Sequence, residues 1–194
     1  MSKKNAKNTK GKIITAAWDL FYEQGYDDTT VEEIIERSGT SKGSFYHYFE
    51  GKDGLLGSLS YIFDEEYEKL QEKLPDDMAA FDMLLYLNRE LFSMIEERID
   101  IDLLTRLYST QLITKGEKHL LDNKRLYYKL LRKIVTDGQK NGELTTEMTV
   151  NEIVKLYAMC ERALIYDWCL CNGEYSLYSY AKNVMPVFLS KIRL

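Results

Sequence analysis

The segment TSKGSFYHY, residues 40–48, consists of the residue types that contact a DNA duplex. Lys42 can donate to guanine or to a phosphate, and Tyr46 and His47 can contact phosphates and thymine methyl groups. Gly43 has no β-carbon, so the backbone at this position can approach a duplex closely. The chemistry that this segment predicts is therefore recognition of double-stranded DNA.

Helix start and stop signals around this segment predict the elements that would position it. Thr30 and Glu33 have the spacing of a capping box, and an apolar stripe follows with helical periodicity. Gly39 is expected to end that helix, because glycine adopts the left-handed conformation without a β-carbon clash. Thr40 or Ser41 then caps a second short helix. Two short helices joined by a glycine turn make a helix-turn-helix.

The second helix is predicted over residues 42–48, with Phe45 and Phe49 four residues apart on its inner face. Its outer face then exposes the side chains of Lys42, Ser44, Tyr46 and His47. A preceding helix is predicted over residues 9–24 from an apolar stripe, and it would complete a three-helix bundle.

The segment SGTSKGSFYHYF, residues 38–49, followed by Lys52, resembles the DNA-binding domain of the tetracycline-repressor (TetR) family of bacterial transcription regulators. The resemblance covers residues 9–56 strongly and the rest of the chain only as an all-helical remainder of family size. It implies that the residues at or near the DNA are Thr40, Ser41, Lys42, Gly43, Tyr46, His47 and Tyr48, although Tyr48 could equally pack inward. Thr30 and Lys52 join this set because each stands at a predicted helix N-terminus, where free N–H groups favour a phosphate.

An all-α fold with two domains is expected. A helix-turn-helix DNA-binding domain at residues 9–51 follows a basic flexible arm at residues 1–8, and a helical ligand-binding and dimerisation domain occupies residues 52–194. The arm is either a solvated tail or a segment that seeks phosphates or the minor groove. In the second domain, periodicity and capping signals predict helices over 52–73, 76–97, 100–111, 120–140, 150–171 and 176–192.

The net charge of −5 is unevenly distributed along the 194 residues. Residues 1–52 carry eight basic and eight acidic side chains, and five lysines precede the first acid, Asp19. Basic groups thus fall where phosphates would lie. No uncharged run approaches the ~18 residues that a membrane helix needs, and the basic start lacks the apolar core of a signal peptide. A soluble, cytoplasmic protein without a membrane partner is expected.

The reactive side chains elsewhere form no pattern typical of catalysis or of metal binding. His119 is interpreted as a surface residue. Cys160, Cys169 and Cys171 share one predicted helix, on which nine residues turn through about 180° and eleven residues advance about 16 Å. One helix cannot place these three thiols on one metal ion, so they are interpreted as small apolar residues, with thiol sensing as the lesser alternative. The sequence predicts a protein that is not an enzyme and binds neither metal nor cofactor.

Members of the resembled family bind small inducers among the helices that follow the DNA-binding domain. The aromatic and basic candidates in that part of the chain are Phe63, Tyr67, Tyr86, Arg89, Tyr108, Tyr127, Arg162 and Tyr166. Each could also be an ordinary core or surface residue, since a helical core needs aromatic side chains. A lining rich in tyrosine would suit a mostly apolar ligand held by a few hydrogen bonds.

The resemblance implies a homodimer through the last two helices, which binds a palindromic operator as a repressor and is released by a small-molecule ligand. Gly54 and Gly57, in the predicted 52–73 helix, are either tolerated substitutions or a softened joint between the domains. An alternative function is an inducer-independent helix-turn-helix protein with a structural or partner-recruiting role. A helical enzyme is the other alternative, for which the sequence offers no catalytic set.

Overall fold

The computed structural model describes residues 3–75, 77–113, 115 and 118–194, with side chains from residue 9 onward. These residues form ten α-helices: α1 Lys3–Gln24, α2 Val31–Ser38, α3 Lys42–Tyr48, α4 Lys52–Leu56, α5 Leu59–Lys73, α6 Ala80–Arg98, α7 Ile101–Ile113, α8 Leu126–Lys140, α9 Val150–Leu170 and α10 Leu177–Phe188. A single 3-10 turn at His119–Leu121 precedes α8, and another at Ser190–Ile192 follows α10. The all-α fold, with an N-terminal helix-turn-helix domain and a C-terminal helical domain, is confirmed.

The local signals that predict the helix-turn-helix are present in the structure. Thr30 and Glu33 form both bonds of the capping box at the start of α2, and Gly39 ends this helix with a φ of 61°. Ser41, not Thr40, caps α3, since its hydroxyl accepts from the backbone N–H of Ser44. Phe45 is fully buried, so α3 is held by its inner face against α1 and α2.

The first helix is longer than the sequence indicates. The backbone is helical from Lys3, whereas a flexible arm is predicted over residues 1–8, of which residues 1 and 2 lie outside the described part. No proline or glycine occurs between Lys3 and Lys10, so nothing in this stretch stops the helix that the packed part of α1 starts.

A joint between α4 and α5 replaces the single helix predicted over residues 52–73. The chain leaves the α-helical pattern at Gly57 and Ser58, where the Ser58 N–H donates to the Leu55 carbonyl at 2.8 Å. Ser58 is buried, and its hydroxyl accepts from the indole Nε1 of Trp18 at 2.8 Å. The prediction missed this joint because serine and a lone glycine are both tolerated inside helices.

His119 packs against this joint and is not the surface residue that the sequence indicates. It is half-buried, and a β-carbon on Gly57 would lie only 2.4 Å from its Cδ2 atom. Gly54 differs, because a β-carbon there would make ordinary contacts with Phe49 at 3.7 Å or more. Gly57 is therefore required by a close approach, whereas Gly54 is not.

The second domain is a helical bundle around an aromatic centre. Helix α6 packs mainly on α10 and α8, and α8 also packs on α5 and α9. A second capping box, formed by Thr149 and Glu152, starts α9 where the sequence predicts it. Helix α8 begins at Leu126 and not at residue 120, since the 119–121 turn comes first. This turn lies where the two domains meet.

Candidate DNA-binding surface and ligand chamber

The outer face of α3 presents the side chains that predict DNA binding. Lys42, Tyr46 and His47 are exposed, and a β-carbon on Gly43, which lies between them, would meet only the Ser41 hydroxyl at 4.0 Å. The Lys42 ammonium forms an exposed ion pair with Glu32 at 3.2 Å and lies 6.0 Å from the centre of the Tyr46 ring. An exposed pair of this kind stabilises little, so Lys42 can exchange its partner for a phosphate or a base at low cost.

The residues flanking this face are held by local hydrogen bonds. Thr30 is exposed, but its backbone N–H and its hydroxyl both donate to Glu33 Oε2 at 2.8 Å. These bonds lower the pKa of Glu33. The hydroxyls of Thr40 and Ser38 bond to each other at 2.8 Å, which ties the turn to the end of α2. Tyr48 is half-buried against the core.

Lys52 begins α4 at the predicted helix N-terminus, and its side chain is directed back onto the DNA-binding domain. Its ammonium donates to three carbonyls of the α1–α2 connection: those of Tyr26 at 2.6 Å, Asp27 at 3.0 Å and Thr29 at 2.9 Å. All three N–H groups are therefore used inside the protein. The neighbouring Asp53 accepts a short hydrogen bond from the Tyr26 hydroxyl. Helix α4 is thus attached to the DNA-binding domain through two adjacent side chains.

Five of the eight candidate ligand residues line one inner chamber between α5, α7, α8 and α9. They are Phe63, Tyr67, Tyr108, Tyr127 and Arg162, joined by Leu91, Leu120, Arg125, Ala158, Glu161 and Ile165. The chamber holds only about 40 Å³, room for about one water molecule, so a larger ligand must push its walls apart. Tyr86 and Arg89 lie half-buried on α6 and do not line it.

The inner wall of the chamber contains a buried carboxylate that the sequence analysis did not single out. Glu161 is 4 % exposed, and its Oε2 accepts from the Tyr127 hydroxyl at 2.6 Å and more weakly from that of Tyr67 at 3.4 Å. The Asn88 amide donates to Oε1 at 3.0 Å. Burial raises the pKa of Glu161, although these hydrogen bonds oppose the shift. In the sequence, the position of Glu161 within the apolar stripe of α9 is the one feature that indicates a buried side chain.

Two larger cavities open beside this chamber. One, of about 660 Å³, is lined by Arg132, Lys155 and Arg162 together with neutral side chains, and it shares Ala158 and Arg162 with the chamber. The other, of about 430 Å³, is an apolar groove that includes Tyr166, the remaining candidate. The chamber therefore opens toward a basic cavity on one side and an apolar groove on the other.

The outer surfaces of α9 and α10 carry large apolar side chains that remain exposed among the described residues. These side chains, between 45 % and 68 % exposed, are Met159, Tyr166, Leu170, Tyr180, Val187 and Phe188.

The thiols of Cys160 and Cys169 are buried, which raises the pKa of each. Neither is therefore an activated thiolate at neutral pH. Among the described helices, none is long and apolar enough to cross a membrane.

Comparison with known proteins places this geometry in a family. Residues 13–59 match the profile described as "Bacterial regulatory proteins, tetR family", and residues 63–191 match "YsiA-like protein, C-terminal region". The HTH-type transcriptional regulator QacR of Staphylococcus aureus is 30 % identical over 164 residues, covering 81 % of this chain and 85 % of QacR. The fatty acid metabolism regulator protein of Bacillus subtilis is 23 % identical over 185 residues, covering 93 % and 94 %.

Solved structures share the whole fold. FadR of Thermus thermophilus, a TetR-family repressor in complex with lauroyl-CoA, superposes with a TM-score of 0.77 at 19 % identity and covers 95 % of each chain. FadR of Bacillus subtilis in complex with stearoyl-CoA gives 0.68 at 21 % identity and covers 95 % of this chain and all of that one. With both parts of the sequence matched, the chain belongs to the TetR family of bacterial transcription regulators.

Proposed function

We propose that this regulator is a cytoplasmic repressor that binds a palindromic operator as a homodimer and leaves it when a small molecule enters the inner chamber. The observation that carries the proposal is the outer face of α3, where Lys42, Tyr46 and His47 are exposed. This helix is held in place because Gly39 ends α2 and Ser41 caps the start of α3. A short helix of this kind reads only a few bases in the major groove. Two copies related by a two-fold axis read a palindrome.

The uncovered apolar side chains of α9 and α10 support the homodimer. Exposed Leu170, Val187 and Phe188 on adjacent helices form an apolar surface of the kind that obligate subunit contacts bury. Both helices lie in the domain that does not read DNA, so pairing there leaves the two α3 helices free. These observations support α9 and α10 as the proposed dimer interface.

Contacts at the 119–121 turn support a route from ligand to DNA. Leu120 lines the inner chamber, and the preceding residue, His119, packs against Gly57 at the α4–α5 joint. The Leu120 carbonyl accepts from the Tyr128 hydroxyl at 2.9 Å, which holds the turn to α8. A ligand that widens the chamber displaces Leu120, and His119 then moves the joint. Helix α4 passes this movement to the DNA-binding domain through Lys52.

The basic cavity supports a ligand with an anionic group. Arg132, Lys155 and Arg162 line it beside the chamber, so an anionic group can bind there while an apolar part fills the chamber. Acyl thioesters of coenzyme A, such as those bound by the two FadR proteins, have this general polarity. The small volume of the chamber is the observation that favours the alternative, an inducer-independent DNA-binding protein.

Selection from a random pool of duplex DNA tests the proposal. The wild type should enrich a palindrome, and Tyr46→Ala should not. Tyr22→Ala is the matched control, because Tyr22 is 49 % exposed against 48 % for Tyr46 but lies near Asp100 of the second domain. Enrichment of an unpaired half-site would contradict the homodimer. Enrichment of nothing by a folded wild type would contradict DNA binding by the unliganded protein.

A further inference from the structure

Among the described residues, Glu161 is the one acidic side chain that lines the inner chamber. The groups that hydrogen-bond to it, Tyr127, Tyr67, Tyr157 and Asn88, are all neutral. Within the described part of the chain, no basic side chain forms an ion pair with it. Arg125, which lines the same chamber, is already paired with Asp64.

A second acceptor lies on the amide that contacts Glu161. Asn88 is 1 % exposed, and its Oδ1 has no hydrogen-bond partner among the described residues, while its Nδ2 donates to Glu161. Buried acceptors normally have a donor, and a carboxylate is costly to bury. A purely structural helix contact would be made more cheaply by apolar side chains. Polar groups at the wall of an apolar cavity are typical of ligand orientation.

The cavities give the ligand site two chemically different ends. The inner end has the Glu161 carboxylate as its acceptor, and the walls beyond it are aromatic and aliphatic, with Phe63, Tyr108 and Ile165 among them. The outer end opens beside basic side chains, including Arg132. A ligand that satisfies both ends is apolar in its middle, anionic outside and a hydrogen-bond donor inside.

We infer that the ligand is an elongated, mainly apolar molecule whose inner end carries a hydrogen-bond donor, a hydroxyl or a protonated amine, which donates to Glu161. The inference rests on the proposed ligand-responsive function and adds the chemistry of the inner end. It also separates this ligand from a plain acyl chain, whose terminal methyl group cannot donate to the buried carboxylate.

Three probes of equal chain length test the inner end: dodecanoate, ω-hydroxydodecanoate and ω-aminododecanoate. All three have the same carboxylate for the basic cavity and differ only at the far atom. Isothermal titration with the wild type should give an affinity at least about 10-fold higher for one ω-substituted probe than for dodecanoate, as expected for a hydrogen bond to a charged acceptor. The tighter of the two identifies the donor as hydroxyl or ammonium.

Two variants localise the effect. Glu161→Gln keeps the size of the side chain and removes its charge, so it should reduce the preference for the ω-substituted probe. Arg132→Gln, in the basic cavity, should weaken all three probes by a similar factor, because they share the carboxylate. If Glu161→Gln does not fold, the comparison of the three probes on the wild type still decides the question.

Equal affinity for all three probes, or tightest binding of dodecanoate, would overturn the inference. So would failure of both ω-substituted probes to bind. A preference that survives in Glu161→Gln would place the donor elsewhere and contradict the assignment to Glu161. Operator binding by the same preparations, measured without probe, decides separately whether the proposed DNA-binding function holds.

Discussion

The imidazole of His119 lies against the backbone of Gly57, so close that a β-carbon on residue 57 would stand 2.4 Å from Cδ2 of the ring. The two residues are far apart in the chain, one in the turn before α8 and the other between α4 and α5. Since Leu120, the neighbour of His119, lines the inner chamber, this contact joins the candidate ligand site to the joint below the DNA-binding domain.

Alanine at the joint should distinguish the two glycines. Gly57→Ala is expected to lower the free energy of unfolding by about 1–3 kcal/mol through overpacking against His119. Gly54→Ala, where a β-carbon has room, should raise it by up to about 1 kcal/mol through helix propensity. Chemical denaturation measures both.

The double variant Gly57→Ala/His119→Ala isolates the contact. Removing the imidazole gives the new methyl group space, so the two changes should be non-additive, with a smaller loss than their sum. Additive losses would show that the strain of Gly57→Ala arises elsewhere.

Lys52→Met should lower the stability of the protein and not its electrostatic attraction to DNA. The ammonium donates to three carbonyls, and its loss leaves them unsatisfied at a cost of about 1–3 kcal/mol. The salt dependence of operator affinity should stay that of the wild type. For Lys42→Met, which removes an exposed cation of α3, stability should hold while the dependence on salt decreases. If instead Lys52→Met reduced the salt dependence of operator affinity and Lys42→Met did not, Lys52 would be a DNA contact.

Stability should depend on pH through Glu161. Because burial raises the pKa of this carboxyl, the folded protein binds the proton more tightly than the unfolded chain does. As pH rises from the ordinary carboxyl pKa of about 4.3 through the raised value, the wild type should lose stability relative to Glu161→Gln. Unfolding free energies of both proteins across this range measure the difference. Wild-type stability that stays constant or rises relative to Glu161→Gln over this range would contradict the raised pKa.

A charge on the apolar surface of α10 should weaken the dimer. Val187→Asp places a carboxylate on a side chain that is 68 % exposed in the single chain, and burying it against a second copy would be unfavourable. Sedimentation equilibrium should show a dissociation constant raised at least about 10-fold, since an unpaired buried charge costs several kcal/mol. Ile113→Asp, at 78 % exposure on α7, is the control and should leave association unchanged.

The DNA-binding domain could be predicted almost residue by residue because its signals are local. A capping box spans four residues, Gly39 ends its own turn of helix, and Phe45 and Phe49 are about one helical turn apart. The family resemblance covers the same stretch. Thus the start of α3, its cap and its buried face follow from residues that are neighbours in sequence.

The joint and the chamber depend on contacts across the chain, which periodicity does not report. Gly57 and His119 are separated in the chain by α5, α6 and α7, and Glu161, Asn88 and Tyr127 come from three different helices. Four aromatic candidates and Arg162 do line the chamber. Tyr86 and Arg89 do not, because on α6 they are about 140° and 160° around the helix from Leu91, which does.

The hydrogen bond from the Trp18 indole to Ser58 makes the joint visible by fluorescence. The chain has two tryptophans, Trp18 and Trp168, and the second lies on α9. With Trp168→Phe, emission would come from an indole whose Nε1 is bonded to the joint itself. Any movement that breaks this bond would shift the spectrum of the intact protein, so the joint carries its own optical reporter.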